Sequence, residues 1–171
     1  MKKIIIAFVF IIFSSEGLLA DNPRYIDFKM ILNESDAGKK AQIYLRNKLE
    51  KGLKKIQEKQ KNIAEEEQKI IQQKKIISAE EYKKKVTELR NKVSKLQKER
   101  NLLLETVSKQ RKKAKSELLK NLNPIISDYM KKNTIRLVLD KKSLLLADEN
   151  LDITKDILKT LNQNLKSVNL K

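Results

Sequence analysis

The chain has 171 residues, of which 36% are charged and only 5% are aromatic. This composition is too polar for one compact core of that size and is typical of exposed helices. The sequence contains no cysteine and no histidine, which excludes disulfides, thiolate chemistry and the usual zinc ligands. It also lacks a glycine-rich loop and paired carboxylates, so we predict no enzyme, no catalytic or metal-binding residues and no cofactor.

The formal net charge of +17 is concentrated in one part of the chain. Residues 39–133 contain 28 Lys and Arg against 12 Asp and Glu, which leaves +16, whereas the flanking segments are nearly neutral. Such a basic region predicts attraction to acidic partners, whether nucleic acid, anionic lipid or acidic polypeptides.

Residues 1–20 are typical of a secretory signal peptide. Lys2 and Lys3 precede an unbroken apolar run at residues 4–13, and Ala20 ends a suitable cleavage context. The run is too short for a transmembrane helix, which needs about 20 apolar residues. We therefore predict a mature protein outside the cytoplasm, with an uncleaved anchor as the alternative.

A short strand and a helix start are predicted next. Ile26 and Phe28 alternate with Tyr25 and Asp27, which favours a strand. Ser35 then suits the cap of a helix, with Asp36 favourable in its first turn.

Residues 39–122 are predicted to form a helical hairpin, which we call the arm. Apolar residues recur every seven positions in two series, as in a coiled coil. The first series is Leu49, Ile56, Ile63, Ile70 and Ile77, and the second is Tyr82, Leu89, Leu96 and Leu103. A companion column in the second helix would hold Val86, Val93 and Val107, whereas the one in the first helix, four positions on, is polar: Gln60, Glu67 and Lys74.

The two series are separated by a capping signal, Ser78 followed by Glu81. A short turn between long helices favours an antiparallel pair with its tip near residues 76–79. Helices of about 40 residues would make the arm roughly 60 Å long at 1.5 Å per residue. A single bent helix is the alternative.

The rest of the sequence, residues 123–171, predicts a small body. Pro124 should break or strongly kink the second helix. Residues 134–139, a turn at 140–143 and residues 144–146 read as a β-hairpin. A last helix should start near Thr154, with Ile157, Leu158, Leu161 and Leu165 on one face.

The predicted fold class is therefore mostly α, with the arm projecting from a body of residues 21–38 and 123–171. A sheet of three short strands is only marginally stable unless its apolar face is covered. We therefore predict that the chain self-associates through this sheet. The candidate oligomerisation residues are Ile26, Phe28, Ile135, Leu137, Leu139, Leu144 and Leu146. The residues alone leave two-fold and three-fold assemblies open.

Three segments of the sequence resemble the Skp/OmpH family of periplasmic chaperones. They are the opening strand and helix start at residues 25–39, which include Gly38 and Lys39, the segment at residues 137–148, and the final helix start at residues 151–154. The resemblance implies a homotrimer whose arms surround a cavity and hold unfolded outer-membrane proteins without ATP. The family supplies no catalytic residues to carry over.

Basic side chains of the arm are the candidate surface for clients: Lys54, Lys55, Lys83, Lys84, Lys85, Arg90 and Lys92. Some family members bind lipopolysaccharide through basic arm residues, which leaves that lipid or another anionic lipid open as a partner, although no motif here matches such a site. A nucleic-acid binder and a structural coiled-coil protein of the envelope are the alternatives. The signal peptide argues against nucleic acid, as does the scarcity of aromatic residues for stacking, since Tyr82 is the single one between Leu45 and Leu122.

Overall fold

The computed structural model describes residues 23–170; the predicted signal peptide lies outside this range. The elements in chain order are β1 (Arg24–Ile26), α1 (Phe28–Glu34), α2 (Asp36–Gln73), α3 (Ala79–Lys132), β2 (Val138–Asp140) and α4 (Thr154–Asn164). Two short 3-10 helices, Lys141–Ser143 and Glu149–Leu151, lie between β2 and α4. The predicted fold class is confirmed: two long helices form a hairpin, and a small sheet lies at its base.

The first strand is shorter than predicted because a helix begins directly behind it. The side chain of Asp27 accepts a hydrogen bond of 2.8 Å from the Met30 backbone N–H, which caps α1. Phe28 is therefore helical. As predicted, Ser35 caps α2, where its hydroxyl accepts from the Gly38 N–H at 3.1 Å.

The arm is an antiparallel pair of helices, so the alternative of a single bent helix is excluded. The first helix, α2, ends at Gln73, and Ser78 caps α3 by accepting a hydrogen bond from the Glu81 N–H at 3.2 Å. The 38 residues of α2 correspond to a length of about 57 Å at 1.5 Å per residue.

Helix α3 does not break at Pro124, where the sequence predicted a break or a strong kink. Helix α3 runs through this residue from Ala79 to Lys132, although proline cannot donate the usual hydrogen bond within the helix. Leu122 and Ile125, on either side, are both buried in the core of the body. Tertiary packing therefore holds the helix together where the local signal predicts an end.

The predicted β-hairpin is also wrong. Strand β2 pairs in parallel with β1, with Tyr25 opposite Leu139, while residues 141–143 form a 3-10 helix and residues 144–147 form no strand. On its other side, β1 is bridged to Asp152, and the Ile153 N–H donates to the Tyr25 carbonyl oxygen at 3.0 Å. The first strand is thus central, and its neighbours come from the distant C-terminal part of the chain.

The core of the body is built where β1 meets α1, α3 and α4. Ile26, Ile31, Leu122, Ile157 and Leu161 are fully buried there. The predicted apolar face of α4 is confirmed, with Leu158 and Leu165 half-buried beside Ile157 and Leu161. Helices of the same chain therefore cover the sheet, contrary to the expectation that it has no cover within one chain.

Of the helices between residues 23 and 170, none has the combination of length and hydrophobicity that a membrane span requires.

Candidate functional site

The seam of the arm differs from the predicted one in α2. Ile56, Ile63 and Ile70 face α3 as expected, but their companions lie three positions after them rather than four. This column is Gly52, Lys59, Glu66 and Gln73, of which all but Lys59 are half-buried, whereas the predicted column at residues 60, 67 and 74 is exposed. In α3, Val107 is buried and Val86 half-buried, but Val93 is 50% exposed.

Four polar pairs cross between the helices along one face of the arm, and we call them the polar ladder. From the tip to the base they are Lys85–Gln73 at 2.8 Å, Lys92–Glu66 at 2.6 Å, Lys59–Glu99 at 2.6 Å and Lys48–Gln110 at 2.9 Å. Their spacing of seven or eleven residues on each helix keeps them on one face.

A groove lies on the opposite face at the base of the arm, and we call it the base groove. It encloses about 640 Å³ between α2 and α3. Its floor includes Leu32, Leu45, Leu49, Ala114 and Leu118, and its basic rim consists of Lys39, Arg46, Arg111 and Lys115. A smaller middle groove of about 300 Å³ continues on this face, lined by Ile63, Val93, Leu96, Gln60, Glu67 and Arg100.

Helical geometry separates the two faces. Gly38, Gln42, Arg46 and Leu49 line the base groove at steps of three or four residues, which places them on one side of α2. Lys48 belongs to the polar ladder on the other side. The arm therefore has one face closed by polar pairs and one face with apolar-floored grooves.

Apolar side chains also remain exposed along the arm. Ile43, Leu53, Ile71, Val93, Leu102 and Leu104 are between 38% and 63% exposed, and Ile76 at the tip is 82% exposed. One chain thus leaves much apolar surface in contact with solvent, which is typical of an interaction surface.

The predicted basic client residues do not form one patch. Lys85 and Lys92 belong to the polar ladder, while Lys54, Lys55, Lys83, Lys84 and Arg90 are exposed. The antiparallel pairing separates Lys54 from Lys83 by about 30 Å along the arm at 1.5 Å per residue. These residues contribute to a dispersed positive field rather than to a single site.

The predicted oligomerisation residues are divided between the core and the surface. Ile26 is 0% exposed in the core of its own chain, and Phe28, Ile135, Leu139 and Leu144 are half-buried. Leu137 is 49% exposed and Leu146 is 92% exposed. Sequence reasoning missed Leu145, which is 104% exposed beside Leu146.

The C-terminal segment is a further feature that the sequence did not reveal. After α4, residues 165–170 run back to the base of the arm, and we call them the strap. Leu170 is 6% exposed among Ala41, Leu45, Val107 and Ala114, and its carbonyl oxygen accepts a hydrogen bond from the Gln110 side chain. The strap lies on the face of the polar ladder, since Gln110 also pairs with Lys48.

One pair of titratable side chains in the body makes a contact between two helices. The Tyr129 hydroxyl donates to Asp156 at 2.9 Å and joins α3 to α4. Burial and this hydrogen bond raise the pKa of Tyr129 above its ordinary value. Within residues 23–170, no group of acidic side chains is arranged to hold a metal ion.

The described residues form a basic helical hairpin on a small α/β body, a fold that is shared with known proteins. The sequence matches the family described as Outer membrane protein (OmpH-like) over residues 24–161, and the chain belongs to this family. No significant match is found among curated proteins. A crystal structure from Caulobacter crescentus CB15, described as a candidate outer membrane chaperone (OmpH-like), has the same fold. Its TM-score is 0.80 at 18% identity, and the alignment covers 90% of each chain.

Proposed function

We propose that the protein is a holdase chaperone of the periplasm that binds unfolded outer-membrane proteins without ATP and prevents their aggregation. The observation that carries this proposal is the arm, a basic hairpin that leaves apolar side chains exposed along its length. Membership of the OmpH-like family and the fold shared with the candidate chaperone from C. crescentus support it.

The arm suits a client that has no fixed structure. Strands of outer-membrane proteins alternate apolar and polar side chains, and unpaired strands of this kind aggregate edge to edge. The positive field of the arm raises the rate of encounter with acidic segments, and exposed residues such as Ile71 and Leu102 then contact apolar ones. Each contact is weak, but contacts made together are strengthened by effective concentration.

The proposal includes assembly into a trimer whose three arms surround a cavity. Leu145 and Leu146 are almost fully exposed on the body of a single chain, and Leu137 is half exposed nearby in sequence. Leucines in this state are expected to be covered by another copy. The half-buried Phe28, Ile135, Leu139 and Leu144 would border that interface, whereas Ile26 acts from within its own core.

The test is dilution of a urea-unfolded outer-membrane protein into buffer with and without the protein, followed by light scattering. We expect scattering to fall to the background level at a modest molar excess. A basic helical protein of similar net charge serves as the control. Equal suppression by that control would reduce the activity to charge alone and contradict the proposal.

Salt separates the proposal from nucleic-acid binding, the alternative that the net charge favours. The affinity for nucleic acid falls steeply and linearly on a log–log salt plot, as counterions are released. The affinity for an unfolded client should fall much less, because apolar contacts are not screened. Parallel loss of client and duplex DNA binding with salt would favour a nucleic-acid binder.

A further inference from the structure

We propose that the base groove is a docking site for an extended polypeptide segment in which apolar residues alternate with acidic ones. The proposal rests on the holdase function, since such segments occur in unfolded clients, and it names the face of the arm that holds them. The opposite face, with the polar ladder and the strap, would then be structural.

The floor of the base groove offers contact to apolar side chains. Leu32 and Leu49 are half-buried in the groove, and Ile43 at its edge is 50% exposed. A groove of about 640 Å³ is within the usual size of ligand sites. It can therefore take several side chains of a bound chain.

The rim of the base groove is cationic, and its charged side chains can pair with carboxylates of a bound segment. Among residues 23–170, neither Arg111 nor Lys115 forms an ion pair. Lys39 pairs with Glu34 at 2.8 Å and Arg46 with Glu50 at 3.9 Å, but these groups are half exposed or more. Exposed pairs of this kind are weak and exchange readily with a competing carboxylate.

The strap shows how the same two helices bind an extended segment on their other face. Val168 and Leu170, at alternate positions, pack against apolar residues at the base of the arm, and Asn169 between them is exposed. Gln110 donates a hydrogen bond to the strap's backbone. The strap lies beyond residue 161, where the family match ends.

The dimensions of the base groove agree with a short strand-like segment. It extends along α2 from Gly38 to Leu49, which corresponds to about 16 Å at 1.5 Å per residue. An extended chain of about five residues covers this distance at 3.3 Å per residue. In such a segment alternate side chains point to opposite sides, so apolar ones reach the floor while acidic ones remain near the cationic rim.

The experiment measures binding of a fluorescent peptide of alternating Leu and Asp to the mature protein by anisotropy. The double variant R111E/K115E should bind it about tenfold more weakly, because two exposed ion pairs are replaced by repulsion. The matched control is K112E/K120E, which changes the same charge on the same helix at exposed positions outside the groove. Its affinity should stay within about twofold of the wild type. Equal losses in the two double variants would overturn the proposal.

A cross-link locates the peptide directly, because the natural sequence has no cysteine. Gln42 lines the groove, whereas Tyr44 is exposed and lies outside it. A benzophenone attached to the Q42C variant should capture the peptide, and one attached to Y44C should not. Equal capture at both positions would overturn the proposal.

Two further measurements separate the outcomes. Phosphatidylglycerol vesicles that bind through Arg111 and Lys115, without any binding of the peptide, would assign the groove to anionic lipid and overturn the proposal.

If R111E/K115E loses the peptide but the wild type fails to suppress aggregation, the proposed peptide site is supported while the holdase function fails. If R111E/K115E still suppresses aggregation fully and binds the peptide normally, the groove fails while the holdase function stands.

Discussion

The side chain of Leu103 fills the space beside the backbone of Gly52, where a Cβ atom on residue 52 would lie 2.5 Å from Leu103 Cδ2. The helices of the arm approach each other closely at this point because residue 52 has no side chain. Gly38 is crowded differently, since a Cβ there would overlap the backbone carbonyl oxygen of Leu32. A leucine methyl can move, whereas a backbone carbonyl in a helix cannot move easily.

We expect the two glycines to respond differently to replacement by alanine. G38A should lower the free energy of unfolding by roughly 2 to 4 kcal/mol, because the backbone at the α1–α2 junction must shift. G52A should remain within about 1 kcal/mol of the wild type, since the gain in helix propensity offsets the movement of Leu103. Urea unfolding followed by circular dichroism measures both, and equal destabilisation would contradict this reading.

The order of charges along α2 and α3 favours the observed register of the arm. The α2 helix contributes Lys59 to one ion pair and Glu66 to the next, with Glu99 and Lys92 as their partners on α3. A slip of one heptad places Lys59 opposite Lys92 in one direction and Glu66 opposite Glu99 in the other. Either slip therefore brings like charges together.

Reversing the charges on α2 alone, with K59E/E66K, should make the native register repulsive. Because these groups are about half exposed, each pair contributes only about 0.2 to 1 kcal/mol, and the variant should melt slightly lower. Adding E99K and K92E should restore the wild-type melting temperature. Spin labels at residues 57 and 101 would report a slip as a distance change of up to about 10 Å, at 1.5 Å per residue. Failure of the quadruple variant to recover would count against a role in register.

Truncating Leu170 should loosen the base of the arm. We expect L170A to cost about 1 to 3 kcal/mol locally, below the full range for buried leucines because the segment can fray. Hydrogen exchange at the amides of Val107 and Ala114 should accelerate, while exchange near Ile157 in α4 stays slow. S167A, at an exposed position of the strap, is the control. Unchanged protection in L170A would mean that the strap contributes nothing to the arm.

The polar ladder shows how the arm can be shortened without changing which residues of α2 and α3 face each other. Deleting residues 60–73 and 85–98 removes two heptads from each helix and keeps Lys59 opposite Glu99. The arm becomes about 21 Å shorter at 1.5 Å per residue. We expect unchanged assembly and severalfold weaker protection of clients, because the middle groove is lost and the base groove remains. Full protection by the shortened protein would show that the distal arm does not hold clients.

Charging the exposed leucines of the body should dissociate the assembly without unfolding the chain. Because Leu145 and Leu146 are 104% and 92% exposed in a single chain, L145D/L146D places no charge in its core. Multi-angle light scattering should give about three times the chain mass for the wild type and one chain mass for the variant, because buried unpaired charges cost several kcal/mol. The helical circular dichroism signal should be the same for both. A wild-type monomer at micromolar concentration would refute the trimer.

Local patterns in the sequence predicted the long helices and α4 of this protein, although they missed α1. The caps at Ser35 and Ser78, the heptads of Ile56 and Leu96, and the apolar face of α4 depend on contacts within a few residues or on periodicity. Each of these signals is contained in a short stretch of sequence, so the antiparallel arm could be predicted from the sequence alone. The same reasoning failed at Pro124, where packing of Leu122 and Ile125 in the core outweighs the local preference.

The tertiary structure alone decided which distant segments meet. Strand β2 pairs with β1, more than 110 residues away, rather than with a neighbouring hairpin strand, and Leu170 reaches Ala41 and Leu45 at the base of the arm. The base groove likewise takes its lining from residues of α2 and α3 that are far apart in the sequence. Such contacts depend on how completed helices pack against each other, and no local pattern of the residues involved encodes their partners.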